Sequence, residues 1–218
     1  MSSVEEEKRA AAEAAAELVA DGDAVGLGTG STVAYLLPAL AARNLKLRCV
    51  ATSPATAHAA GRLGLRVEPF DRVDGIDRLD IAIDGADQIT PGGWAIKGGG
   101  GAHTREKIVA AAADRFVVIA SSDKAVEVLH PPVPLELLVF GVSATLRAVA
   151  PVQLRNVPPS PDAGLIADHH GPVDDPQALA ARFAAQPGVV EHGLFGPELI
   201  SDVLIARGGA VEHLQPGG

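Results

Sequence analysis

Apolar residues fall along this chain in two rhythms. Up to about residue 129, short unbroken apolar runs alternate with longer stretches in which alanine and leucine are interspersed with charge. The short runs are Ala24–Gly28, Leu47–Thr52, Asp80–Asp84 and Phe116–Ala120. Compact apolar runs bounded by turn residues predict strands buried on both faces. Glu5–Val19 is alanine-rich, carries scattered charge and stops at Asp21-Gly22, so it reads as a helix. A second helix follows Thr29-Gly30-Ser31-Thr32 and runs to about Ala42. A third opens at Ser53-Pro54, with Ser53 as N-cap and Pro54 at the first helical position, and a fourth covers Arg105–Ala113. Strands and helices in alternation predict a parallel sheet covered on both sides, a Rossmann-like α/β domain.

From His130 the rhythm shortens. Pro131, Pro132 and Pro134 mark a linker. Val133–Phe140, Val152–Val157, Leu165–Asp168 and Val189–Glu191 read as strands, with helices over Ser143–Val149 and Pro176–Gln186. That order, βαβ followed by βαβ, predicts a smaller α+β domain with a ferredoxin-like sheet. The apolar run Asp202–Ala206 returns to the first sheet. The expected division is a catalytic α/β domain of residues 1–129 plus 202–218, and a small domain of residues 130–201 that serves oligomerisation.

Composition narrows the function. The chain has 218 residues, 47% of them hydrophobic, enough to bury a substantial core. Net charge is −9 and aromatics are 3%, which argues against nucleic-acid binding and base stacking. No apolar run approaches the roughly 18 residues of a membrane span. Glu5, Glu6 and Glu7 stand where a signal peptide carries positive charge, so a cytoplasmic protein is expected. The single cysteine, Cys49, excludes a disulfide within the chain and reads as a buried strand residue.

The candidate chemistry gathers where predicted strands end, the edge at which parallel sheets bind ligands. Gly28-Thr29-Gly30-Ser31-Thr32 joins a strand to a helix, a place suited to phosphate oxygens. It lacks the third glycine of a dinucleotide fingerprint and the lysine of a Walker loop, and a plain capped turn is the other reading. Thr52, Ser53 and Thr56 repeat hydroxyl chemistry at the next strand end. Asp84-Gly85-Ala86-Asp87 sets two carboxylates around a turn, either facing a cleft or capping neighbouring N–H groups. Lys97 precedes Gly98-Gly99-Gly100-Gly101, a combination able to hold an oxyanion. Thr104-Arg105-Glu106-Lys107 then opens a helix. Glu106 would lie in its first turn, where the dipole favours the ionised form of a general base. Lys124 closes the loop after Phe116–Ala120. The triplet Asp168-His169-His170 has alternating directions on a strand, so no metal site is expected there.

These four motifs, in this order, closely resemble type A ribose-5-phosphate isomerase, and the similarity extends to Pro187-Gly188-Val189-Val190 and Gly193-Leu194-Phe195. The resemblance implies a cofactor-free, metal-independent aldose–ketose isomerase of the pentose phosphate pathway. Its substrates are pentose 5-phosphates, and it acts as a homodimer or homotetramer. It implies that Glu106 is the general base and that Lys97 with Gly98, Gly99 and Gly100 stabilises the oxyanion. Asp84 and Asp87 bind sugar hydroxyls and assist ring opening, with Asp84 as the acid/base partner. Gly28–Thr32 contacts substrate, and Lys8 and Lys124 serve the phosphate. The chain departs from the family pattern at Gln88, usually Glu, at His103, usually apolar, and at Ser121, often acidic. The Arg147–Leu165 region is also shortened. Two other readings compete: a sugar-phosphate sensor, which has no use for Glu106 beside an oxyanion loop, and a deaminase or lactonase for another phosphosugar, which needs a placed histidine.

Overall fold

The structure is a computed structural model in which residues 3–216 are described. Helix α1 (Val4–Ala16) begins at a capping box: the Ser3 hydroxyl accepts from the Glu6 N–H, and Glu6 accepts from the Ser3 N–H. Then follow β1 (Ala24–Leu27), α2 (Val33–Ala42), β2 (Arg48–Ala51), α3 (Pro54–Arg62) and β3 (Ile81–Gly85). Two short strands, β4 (Gln88–Ile89) and β5 (Ala95–Ile96), precede α4 (His103–Ala111) and β6 (Phe116–Ser121). Next come β7 (Val133–Leu137), α5 (Val142–Ala148), β8 (Val152–Leu154), β9 (Leu165–His169), α6 (Pro176–Ala184) and β10 (Val189–His192). The chain closes with β11 (Leu194–Phe195), β12 (Asp202–Arg207) and β13 (Ala210–Leu214).

The main sheet has the order β13-β12-β6-β3-β1-β2 and is parallel except for β13. Its central strands are buried on both faces, as unbroken apolar runs require. Ile81, Ile83, Val117 and Ile119 pack with α1 and α2 residues such as Ala15 and Leu36. Ala82, Phe116, Val118 and Ala120 face the other way, against Val109 and Ala110 of α4. Cys49 is fully buried in β2, and burial pushes its thiol up to about 11. No helix among the described residues is long and apolar enough to cross a membrane.

The second sheet, β10-β7-β9-β8, is antiparallel throughout. Its first strand in sequence lies between the fourth and the third, which is the ferredoxin-like order. Its core joins Leu135, Leu137, Val149 and Phe183. Two strands are shorter than the pattern predicts. β7 stops at Leu137, because Gly141 turns with φ +73° to start α5 and leaves Leu138–Phe140 outside the ladder. β8 stops at Leu154. A third sheet, β11-β5-β4, has no counterpart in the pattern, since its two-residue strands carry no period. It matters for the site because β11, beyond the second sheet, clamps β5 just ahead of α4.

Candidate active site

The loops after β1, β3 and β6 meet the glycine loop at the carboxyl edge of the main sheet. They enclose a cleft of about 120 Å³ lined by Thr29–Thr32, Gly85–Asp87, Lys97–Gly100, Glu106 and Lys124. A larger cavity, about 750 Å³, lies between α3, residues 65–71 and the outer face of α4. Val50, Leu65, Val67 and Ile108 contribute to its wall, and its Arg105 and Asp162 are spent on each other at 2.7 Å. Only the smaller cleft brings unlike charges together at strand ends, so the chemistry is assigned there.

Three charged side chains meet at its base: Lys97 and Glu106 line the cleft, and Asp84, absent from the lining, lies behind them. Lys97, Asp84 and Glu106 are only 2–3% exposed. The Lys97 ammonium stands 2.9 Å from Asp84 Oδ2 and 3.1 Å from Glu106 Oε2, and donates to the Gly85 carbonyl at 2.5 Å. Behind it, the Phe195 ring centroid lies 5.4 Å from Nζ. Fully ionised, the triad would bury one net negative charge, which a low dielectric opposes. Burial acts to depress the lysine, but the two carboxylates outweigh it and hold the ammonium protonated. The excess falls on the carboxyls. Burial raises Asp84 despite Lys97 and two backbone donors, the Thr29 N–H at 3.0 Å and the Gly85 N–H at 2.7 Å. Glu106 lacks such donors, and its buried Oε2 receives no hydrogen bond among the described residues. Burial therefore pushes it up to about 7. This reverses the expectation from its place in the first turn of α4: desolvation exceeds what the helix dipole returns.

Gly28 makes this arrangement possible. A Cβ there would lie 2.0 Å from the Asp84 carboxyl carbon. Gly28→Ala is expected to push Asp84 off Lys97, costing about 1–3 kcal/mol of stability through overpacking and most of the activity. Thermal melts and turnover of the same variant would check it, and unchanged turnover would contradict it. The hydroxyls at the β2 end lie beneath the loop. Thr29 Oγ1 is 2.7 Å from Thr52 Oγ1, and the Thr56 hydroxyl donates to the Gly28 carbonyl at 2.9 Å. Ser53 caps α3 through the Thr56 N–H at 3.2 Å. Ser53 and Thr56 thus brace the loop, while Thr29, Gly30, Ser31 and Thr32 face the cleft.

On the opposite wall Asp87 is exposed, and its Oδ2 accepts the Gly99 N–H at 2.7 Å. Gly98 has φ +101°, and a Cβ on it would meet the His103 ring at 2.7 Å. The imidazole is fully buried, and burial drops it to about 4, so it is neutral and packs under the loop as an apolar residue would. The rest of the first turns of α4 is tied to the small domain. Thr104 donates to Glu136, Arg105 to Asp162, and Lys107 to Glu191 and the His192 carbonyl, each of these two at 2.7 Å. Glu106, between them, points into the cleft. Arg155, past β8, donates to the Gly98 and Gly99 carbonyls at 2.9 and 3.0 Å and pairs with both oxygens of Asp168.

Of the two predicted phosphate-side lysines, Lys124 lines the cleft, whereas Lys8 pairs with Glu5 at 2.7 Å on α1 and is absent from the lining. Between them, buried Glu7 accepts from the Ser122 N–H and hydroxyl at 2.9 and 2.7 Å. Ser121 donates to Asp123, ordering the same turn. Gln88 points away from the cleft: its amide donates to the His130 carbonyl at 2.8 Å and accepts the His130 N–H at 2.9 Å. A glutamate could not do both. Sequence reasoning missed Arg155, Glu7 and Phe195. Each reaches the site across a long sequence separation; no local motif marks Arg155 or Glu7, and Phe195, though within Gly193-Leu194-Phe195, carries no polar group to single it out.

The family model described as ribose 5-phosphate isomerase A (phosphoriboisomerase A) matches residues 48–209. A model of the DeoR C terminal sensor domain matches residues 3–65, a stretch that ends before Asp84, Lys97 and Glu106. A ribose-5-phosphate isomerase A of Caulobacter vibrioides is 44% identical, across 98% of this chain and all of its own length. One from Halorubrum lacusprofundi is 44% identical across 86% of this chain and 88% of its own. The solved ribose 5 phosphate isomerase A from Neisseria gonorrhoeae superposes with a TM-score of 0.92 at 32% identity, covering 99% of each chain. A D-ribose-5-phosphate isomerase solved in complex with phospho-erythronic acid gives 0.90 at 30% identity, covering 98% of this chain and all of the other. With the family model spanning most of the chain and full-length relatives well above the level of chance, this chain belongs to the ribose 5-phosphate isomerase A family.

Proposed function

We propose that this chain interconverts ribose 5-phosphate and ribulose 5-phosphate by proton transfer through an enediolate, in the non-oxidative branch of the pentose phosphate pathway. The observation that carries the reading is Glu106: a buried carboxyl facing the cleft, pushed up to about 7 and set beside an ammonium and a glycine loop. A base with that affinity takes a proton from C2 and can return it to C1 near neutral pH. As C2 loses its proton, charge develops on the carbonyl oxygen at C1. Lys97 and the loop N–H groups are placed to stabilise it. Asp84 lies behind the wall, where it suits holding Lys97 and the Thr29 turn. Asp87 keeps one oxygen for substrate hydroxyls. Ser31, Thr32 and Lys124 offer the phosphate a hydroxyl-and-cation cradle. The exchange closes when C1 takes back the proton held by Glu106 and the O2 hydroxyl proton passes to the C1 oxygen as the ketone forms. Base and electrophile come from the chain's own groups, so the reading calls for no cofactor. A cytoplasmic location fits these soluble substrates.

Direct conversion of ribose 5-phosphate to ribulose 5-phosphate by the purified protein tests the reading; no turnover would end it. The pH profile adds a sharper check. Glu106 must be ionised to act, so kcat/KM is expected to rise from acid pH and level off above about 7. A profile flat from pH 5 to 9, where no step of about this size appears, would remove Glu106 from the base role.

The small domain also presents an apolar edge. Leu138, Val139 and Val157 are exposed at one end of its sheet, with Phe140 at 93%. We assign homodimerisation to this edge, because an apolar cluster of this kind is costly to leave in water. Phe140→Asp is expected to shift sedimentation toward monomer. A protein already monomeric would refute the assignment.

A further inference from the structure

We propose that Arg155, carried by the small domain, is a positioning residue for the isomerisation: it sets the glycine-loop peptides so that the Gly100 N–H faces the oxygen that gains charge. This rests on the reading above.

Arg155 is fixed at both ends of its side chain. Its backbone N–H donates to the Ile166 carbonyl at 2.8 Å, and its guanidinium meets Asp168 through Nε and Nη2 at 2.7 and 2.6 Å. The remaining nitrogen, Nη1, donates to two successive carbonyls of the loop, Gly98 and Gly99. The peptide between Gly98 and Gly99 is therefore gripped from both sides, its carbonyl by Arg155 and its N–H by Asp87. In a trans peptide the carbonyl and the N–H point in opposite directions. With the Gly99 carbonyl turned to Arg155, the N–H of Gly100 points away from the guanidinium. Gly100 lines the cleft, and among the described residues no hydrogen bond takes up its N–H. With the Gly98 N–H, it is a loop donor left for substrate.

Charge alone does not explain Arg155, since Asp168 cancels most of it at short range. Shape does. A planar guanidinium can face a carboxylate with one edge and two carbonyls with another, which a lysine ammonium cannot. A donor drawing on the carbonyl also polarises the peptide and strengthens its N–H as a hydrogen-bond donor. The small domain thereby completes the site of its own chain.

The test uses Arg155→Ala and Arg155→Lys in the full-length protein. With the parent active, both variants are expected to lose about 30- to 100-fold in kcat, the scale of a misplaced or lost oxyanion donor. KM for ribose 5-phosphate should stay within about 3-fold, because the phosphate cradle is untouched. Affinity for phospho-erythronic acid, whose carboxylate stands in for the enediolate oxygens, should fall with kcat/KM, while inhibition by inorganic phosphate holds. Guanidinium chloride at tens of millimolar should restore part of the kcat of Arg155→Ala and leave Arg155→Lys unchanged. A staple that merely joined two domains would not answer to guanidinium. The proposal is overturned if Arg155→Ala keeps kcat within about 3-fold of the parent, or if its loss tracks the unfolded fraction with no guanidinium response. An inactive parent overturns the isomerase reading and this proposal with it; an active parent with indifferent variants overturns this proposal alone.

Discussion

Lys97→Met is expected to abolish isomerisation and to destabilise the protein by about 3–5 kcal/mol at pH 8, the usual cost of removing one partner from a buried ionic set. The variant keeps an unbranched side chain, one atom shorter, but leaves Asp84 and Glu106 facing each other without a cation. Two effects combine on turnover. The electrophile is lost, and both carboxyls are driven toward their protonated forms, so the base is lost as well. The pH dependence has a definite sign. A carboxyl whose pKa is raised in the folded state binds more protons than in the unfolded state, so stability falls as pH rises through the folded value. In the parent both carboxyls are already raised. Without Lys97 they rise further, so the deficit should shrink as pH drops toward 5 and widen toward 8. Thermal melts across that range measure it. A variant that melts like the parent at pH 8 would show that water already reaches the triad.

Glu106→Gln has the other large effect, and its two consequences point in opposite directions. Loss of a general base is worth up to about 10⁴-fold in rate, so kcat should fall by about a thousandfold or more. Phosphosugar binding should remain, because Thr29–Thr32 and Lys124 are untouched. Stability should hold or improve. The triad carries one carboxylate too many for its single ammonium, and the substitution leaves Lys97 and Asp84 as a balanced pair. By the same linkage, the parent loses stability as pH rises through about 7, and the variant does not. The gap in melting temperature should therefore open as pH climbs from about 4.5 to about 7, in favour of the inactive variant, and stay level above that. Equal loss of binding and turnover would assign Glu106 a structural role instead.

Much of this fold was written locally. The strands of the main sheet are short apolar runs, and Ser53-Pro54 marks the start of α3 because a cap and a proline act within a few residues. The ferredoxin-like order could be anticipated from the sequence of elements alone. What escaped is what depends on distant partners. β4, β5 and β11 are pairs of residues held by one another, with no period to detect. β7 was expected to run to Phe140, because Leu138-Val139-Phe140 is apolar; those residues lie outside the ladder, where composition cannot tell a core strand from a sticky edge. The site divides in the same way. Lys97, the glycines and Glu106 sit in two adjacent motifs and are gathered in the cleft. The state of Glu106 was misjudged, because the helix dipole is visible in sequence and burial is not. Lys8 belongs to a resemblance that its pairing with Glu5 and its absence from the cleft lining do not echo.

The way α4 is held has a consequence for how the protein fails under heat. His103, Thr104, Arg105 and Lys107 all lean on the small domain, and only Glu106 turns inward. Turnover thus depends on the seam between two bodies more than on either core. These α4 contacts are polar, so they gain little from the hydrophobic effect that protects the sheets as temperature climbs. Inactivation should precede loss of helix and strand content, and the working ceiling of the catalyst should follow the seam. Variants selected for heat resistance would then be found along α4 and its acceptors Glu136, Asp162 and Glu191 before any appeared in the interior of the main sheet.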